Sequence, residues 1–190
     1  MKKRLAIYIN LFGVLGLCFV LCGAYYMQFV VKEFPCPLCL LQRMCMLGVA
    51  FGLLLNLKYG FKTSHYGLSI LSAVLGGAIA TRQILLHICP KAGDTGYGTP
   101  VLGLHLYTWA LLFFITSIVA IALLLLYTKQ FEERGLRSNA QVKVTNVASF
   151  VFWLLFLLSL TNMIFALLEC GFGPCPSDPV NYQLLHGQLW

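Results

Sequence analysis

Charge is what this chain has least of. Only 10% of its 190 residues are Asp, Glu, Lys or Arg, and just six are acidic. With 59% hydrophobic residues and a mean hydropathy of +0.83, no water-soluble core accounts for so much apolar sequence, which excludes a soluble globular domain. An A-x-A-like cleavage pattern is missing after the first apolar stretch, so that stretch is expected to stay as a span rather than leave as a signal peptide. A second C-x-x-C and paired histidines are missing too, which argues against a four-ligand structural zinc site. No internal repeat is present.

What is there instead is a series of five apolar stretches, Leu5 to Val30, Leu40 to Leu57, Tyr66 to Ile88, His105 to Tyr127 and Val147 to Leu168. Each is close to the ~20 residues that cross a bilayer as a helix. The expected fold is an all-α polytopic transmembrane bundle, a single membrane domain ending in an outer tail over residues 169–190. Five spans put the termini on opposite sides. Lys2, Lys3, Arg4, Lys58, Lys62, Lys129, Arg134, Arg137 and Lys143 fall on one side and only Lys32 and Lys91 on the other, so the N-terminus is assigned to the cytoplasm and the C-terminus to the outer face. The net charge of +7 is spread over three cytoplasmic segments, as orientation requires, and a nucleic-acid partner is rejected. The loop from Thr128 to Asn146 reads as a solvated connector.

None of the eight cysteines lies in a cytoplasmic loop. Cys18, Cys22 and Cys45 fall within spans, where a small thiol that packs is the ordinary case. Cys36, Cys39, Cys89, Cys170 and Cys175 map to the outer side, where thiols pair or exchange. In Phe34-Pro35-Cys36-Pro37-Leu38-Cys39 the C-x-x-C leads straight into an apolar helix, with Pro37 in the first turn, where its missing N–H costs nothing. Both sulfurs then sit at a helix N-terminus, whose free N–H groups favour thiolate and an oxidising couple. A static disulfide is the competing reading. Against it stands Arg43, four residues after Cys39 on the same helical face. A guanidinium there either snorkels or marks a site. Arg82, about two turns before the outer end of the third span, is expected at a similar depth, and the two arginines with Gln42 and Gln83 outline a place for a polarised or anionic ligand. A quinone suits it, being apolar and gaining negative charge on its oxygens as electrons arrive, charge that Arg43 would stabilise. Cys39, nearest the arginine, is the expected electron donor and Cys36 the exchanging partner.

From Pro35 to Arg43 the sequence Pro-Cys-Pro-Leu-Cys-Leu-Leu-Gln-Arg resembles the disulfide bond formation protein B (DsbB) family, whose hallmark is C-x-x-C followed after three residues by arginine. The resemblance extends over the first four spans, including Arg82-Gln83. It implies a bacterial inner-membrane oxidoreductase in which Cys36, Cys39 and Arg43 reduce ubiquinone or menaquinone. It also implies a second outer cysteine pair that takes electrons from a periplasmic thioredoxin-fold thiol oxidase, DsbA. The family chain has four spans and both second-pair cysteines in the loop before the fourth, whereas here that loop holds only Cys89, and Cys170 and Cys175 follow a fifth span.

Cys89 with Cys170, Cys89 with Cys175, and Cys170 with Cys175 are the possible outer pairings. The last closes a short local ring, while Cys89, at the end of the Arg82 helix, is favoured as part of a relay. The Gly-rich loop from Pro90 to Leu104 could carry Cys89 toward another site, or be a turn with aromatic anchors. His87 and His105 are expected to make simple hydrogen bonds rather than ligate a metal or haem. The leading expectation is a quinone-coupled dithiol oxidase. Its rivals are a thiol-reductant exporter, which would have to use Cys18, Cys22 and Cys45 inside the bilayer, and a non-catalytic scaffold or small transporter whose disulfides are staples.

Overall fold

The computed structural model describes residues 2–88, 96–131, 139–173, 175, 179 and 181–185. Helices α1 (Lys2–Phe29), α2 (Pro37–Tyr59), α3 (Thr63–His87), α4 (Leu106–Leu126) and α5 (Asn139–Cys170) follow one another, with a 3-10 turn, Thr128–Gln130, after α4. Each of the five contains a segment long and apolar enough to cross a membrane. The bundle is all-helical, as hydropathy requires: in lipid a helix satisfies its own backbone. Its boundaries shift where hydropathy is a poor guide. Helix α2 begins at Pro37 rather than Leu40, and α5 runs on to Cys170, so Glu169 and Cys170 belong to its last turn rather than to the tail.

Helix α2 is the axis of the bundle. It packs against α1, α3 and α5, while α4 lies behind α3. In its most apolar window 61% of residues are buried, against 17% in α5, whose outer face carries exposed Phe150 and Trp153. Close approach of α2 and α3 comes from small residues. A Cβ at Gly52 would run into the Ser69 side chain and the His65 carbonyl, and Ser69 Oγ donates to Val49 O across the interface at 2.9 Å. Gly76 of α3 likewise leaves room for the fully buried Phe114 ring of α4. Gly76→Leu should therefore force α3 and α4 apart, and we expect it to lower stability by about 2 kcal/mol. A melting curve in detergent checks this, and an unshifted transition would contradict the packing described.

The end of the bundle where α1 begins is closed by a polar network. Asn10 Nδ2 donates to Tyr66 Oη (2.8 Å), which donates to Gln130 Oε1 (3.1 Å), and Asn56 Nδ2 donates to Asn10 Oδ1 (3.3 Å). These bonds join α1, α2, α3 and the turn after α4. At the opposite end aromatic rings take over: Phe29 meets Phe165 (5.0 Å between centroids), Phe165 meets Tyr182 (5.8 Å), and Tyr182 meets Phe34 (5.1 Å). From the other side Tyr97 Oη donates to Phe34 O at 2.7 Å, and Thr99 N donates to Glu33 Oε1 at 3.2 Å. The described half of the α3–α4 loop thus acts as an aromatic anchor. Held from both sides, the segment before α2 delivers Cys36 to a defined place.

Candidate functional site

Cys36 is the N-cap of α2, in extended conformation (φ −72°, ψ 159°) with Pro37 in the first turn behind it. Its sulfur accepts a hydrogen bond from Cys39 N at 3.1 Å, the place a serine or aspartate oxygen fills in an ordinary cap. Cys36 and Cys39 form a disulfide with Cα atoms 5.0 Å apart. The helix start thus presents both sulfurs to the same unsatisfied N–H groups.

Gln83 of α3 completes this pocket. Its Nε2 donates to Cys36 Sγ (3.1 Å) and reaches Cys39 Sγ (3.5 Å), while its Oε1 accepts from Gln42 Nε2 at 2.7 Å. Both glutamines are buried. Gln42 therefore sets the direction of the Gln83 amide, so that an N–H and not a carbonyl faces Cys36. The sequence outlines the site with Arg43 and Arg82 together with Gln42 and Gln83; in the structure Arg82 is exposed and Gln83 points inward. Neighbours on a helix are turned by about 100°, so only one of the two can face α2.

A donor on sulfur stabilises a thiolate and hence the reduced couple. Gln83→Leu should make the Cys36–Cys39 couple more reducing, by about 30 mV if one charge-assisted bond of about 1.5 kcal/mol is lost. Alkylation in graded glutathione buffers measures it. A potential that stays put would mean that Gln83 only packs.

Arg43 does not snorkel. It is buried, its Nη1 donates to Gln28 Oε1 (2.7 Å) and its Nη2 to Ala24 O (3.2 Å), and its guanidinium carbon lies 5.1 Å from the centre of the Tyr25 ring. Tyr25 in turn donates to Leu158 O of α5 at 2.8 Å. A charge placed inside a membrane span costs about 3 kcal/mol on insertion scales, and here α1 offsets it with two hydrogen bonds and a ring face.

Helix α5 brings two more polar side chains to this end, Asn162 and Glu169, both buried. Asn162 Nδ2 donates to Leu40 O at 3.2 Å. Glu169 and Arg43 act on each other electrostatically, yet neither carboxyl oxygen has a hydrogen-bond partner. Gln28 Nε2 and Asn162 Oδ1 are unpaired as well. Sequence reading passed over Gln28, Tyr25, Asn162 and Glu169. A signal existed for the α5 pair: the two lie seven residues apart, on one face of a helix otherwise rich in Leu, Phe and Val.

Cys170 and Cys175 pair with each other, Cα atoms 4.4 Å apart. Gly171, at φ +62°, ends α5 in the left-handed region, its N–H donating to Leu167 O at 2.8 Å, and turns the chain back toward Cys175. That pairing excludes, in this state, a bond from Cys89 to either. Cys89 itself lies outside the described residues. Cys175 is exposed, whereas Cys36 is only 4% exposed. Cys18 and Cys45 pack in the core, while Cys22 is exposed. The rings of His87 and His105 both stack on Tyr107, and each Nδ1 hydrogen-bonds a backbone carbonyl, of Gln83 (2.9 Å) and Gly98 (3.2 Å) respectively.

Comparison with known proteins identifies a family. The family model described as "Disulfide bond formation protein DsbB" matches residues 6–126, which spans α1 to α4 and stops before α5. Similar proteins named disulfide bond formation protein B occur in Cupriavidus metallidurans (41% identical over 71 residues, 37% of this chain and 44% of that one). Others occur in Cupriavidus necator (35% over 82 residues, 43% and 47%) and Pseudomonas syringae pv. tomato (32% over 151 residues, 63% and 88%). The chain thus spans less than half the length of the first two relatives and most of the third. No solved structure matches. With more than half its length inside the family match and five membrane-crossing helices around a helix-end cysteine pair, the chain belongs to the DsbB family as a multi-pass membrane protein.

Proposed function

We propose that this protein is a quinone-coupled dithiol oxidoreductase. It oxidises a periplasmic thioredoxin-fold thiol oxidase of the DsbA kind and passes the electrons to ubiquinone or menaquinone in the inner membrane. The observation that carries the reading is the Cys36–Cys39 couple held at a helix start with the Gln83 amide on both sulfurs and the buried Arg43 one turn deeper. The orientation that goes with it, N-terminus inside and C-terminus outside, rests on the lysine and arginine count.

The unpaired polar atoms of Gln28, Asn162 and Glu169 support a quinone at this place. A head group with two carbonyl oxygens would find donors at Gln28 Nε2 and the guanidinium. Quinone, when bound, supplies a two-electron, two-proton sink. Everything else falls to the chain's own groups.

Electrons enter through sulfur exchange. A partner thiolate attacks an accessible disulfide, and exposed Cys175 in the Cys170–Cys175 bond is the reachable sulfur. Each exchange breaks one S–S bond and forms another, so the partner leaves oxidised and the outer couple becomes a dithiol. The outer thiols, with Cys89 as the third sulfur available to a mixed disulfide, then reduce Cys36–Cys39. Cys36 takes the incoming thiolate, and Cys39, nearer Arg43, hands the electron pair inward. Arg43 stabilises the negative charge that develops on the acceptor oxygen.

The test is direct. Purified protein, a reduced thioredoxin-fold dithiol and a short-chain ubiquinone are mixed, and quinone absorbance and partner thiols are followed together. One disulfide formed per quinone consumed is expected. Thiol oxidation that proceeds equally well without quinone would overturn the reading and leave a scaffold or exporter in its place.

A further inference from the structure

We propose that Glu169, on the helix outside the family match, is the acid that delivers a proton to the acceptor oxygen, so that α5 completes the quinone site. This deepens the quinone-coupled reading and rests on it. Glu169 is 0% exposed, Asn162 1% and Gln28 5%, and each keeps at least one side-chain polar atom without a partner. Each bears on the Arg43 turn of α2. Gln28 holds Arg43 directly, Asn162 holds the carbonyl of Leu40 one turn before Arg43, and Glu169 acts on the guanidinium through space.

An acid in the last turn of a membrane helix has an easy alternative, which is to turn outward to water. Glu169 does not take it. The chain folds back over it, with Leu184 N donating to Leu168 O at 3.1 Å. Nor does Glu169 serve as a hydrogen-bonded counter-ion, since the Arg43 donors go to Gln28 and Ala24. A buried carboxyl with both oxygens free is suited to a ligand that arrives as an acceptor and departs as a donor. Protonated, it gives a hydrogen bond to a carbonyl oxygen; ionised, it receives one from a hydroxyl. A quinone and its quinol are such a pair.

The balance closes without another reactant. Cys36 and Cys39 as thiols lose two electrons and two protons when their S–S bond forms, and reduction of a quinone to the quinol consumes the same. Glu169 breaks its O–H bond as one acceptor oxygen gains a proton, and it recovers a proton released by the closing thiols. The other thiol proton goes to the second oxygen.

Glu169→Gln in the full chain keeps shape and removes the transferable proton. With a short-chain ubiquinone we expect kcat to fall at least about tenfold, while the quinone Kd, from tryptophan quenching, moves less than about threefold. Disulfide exchange between the partner and Cys36–Cys39 without quinone should be unchanged. Glu169→Asp should recover part of kcat. In the infrared difference spectrum between oxidised and reduced protein, a carboxyl band present in the parent should vanish in Glu169→Gln. Parental kcat in Glu169→Gln, or a carboxyl band that survives the substitution, overturns the assignment and leaves the quinone-coupled reading intact. A parent protein that reduces no quinone overturns both.

Discussion

Cys39→Ser should bring quinone reduction down to background, a loss of more than about a thousandfold, because no other group in the site can both hold and release the electron pair. Serine keeps the size and the cap geometry, so the helix start should survive. Cys36 then remains as a single thiol beside Gln83, able to attack a partner disulfide but unable to close the inner bond. The substitution should therefore do more than stop turnover. It should let a mixed disulfide between Cys36 and another sulfur accumulate, visible on a non-reducing gel and mappable by mass spectrometry. That species would also reveal which of Cys89, Cys170 and Cys175 meets the inner couple. Turnover at the parental rate in Cys39→Ser would place the electron exit elsewhere in the molecule.

The second large effect is expected at Arg43. In Arg43→Ala the Michaelis constant for quinone should rise by one to two orders of magnitude, in line with about 1.5–3 kcal/mol for a hydrogen bond to a charged group. The constant for the protein partner should hold. Gln28 and Ala24 lose their donors at the same time, so some of the loss reflects a loosened α1. Arg43→Lys separates the two. It retains the charge without the planar fork that bridges Gln28 and Ala24, and a half-restored quinone constant is expected. If only the partner's constant responded, Arg43 would belong to docking rather than to the acceptor.

Both expectations draw on residues that the primary structure makes conspicuous: a C-x-x-C with proline at a span start, and a guanidinium one turn inside. Those signals are local. A cap, a first-turn proline and an i to i+4 spacing act within a few residues of chain, so they are legible before any fold is known. The same holds for the five spans, since apolar length is a property of a segment. Arg82 was harder, because depth in the membrane follows from counting residues, whereas direction around a helix depends on which neighbour packs where.

Composition and spacing alone thus determined that the chain is a membrane bundle of five helices with a redox-competent sulfur pair at one end. Only the tertiary structure decided that Gln83 rather than Arg82 faces the sulfurs, that Cys170 pairs with Cys175, and that Gln28, Asn162 and Glu169 gather about Arg43. Apart from the five-residue Cys170–Cys175 ring, those contacts join residues 15 to 122 positions apart, from Gln28–Arg43 to Leu40–Asn162. No local preference encodes such meetings; the burial of apolar faces between α1, α2, α3 and α5 brings them about.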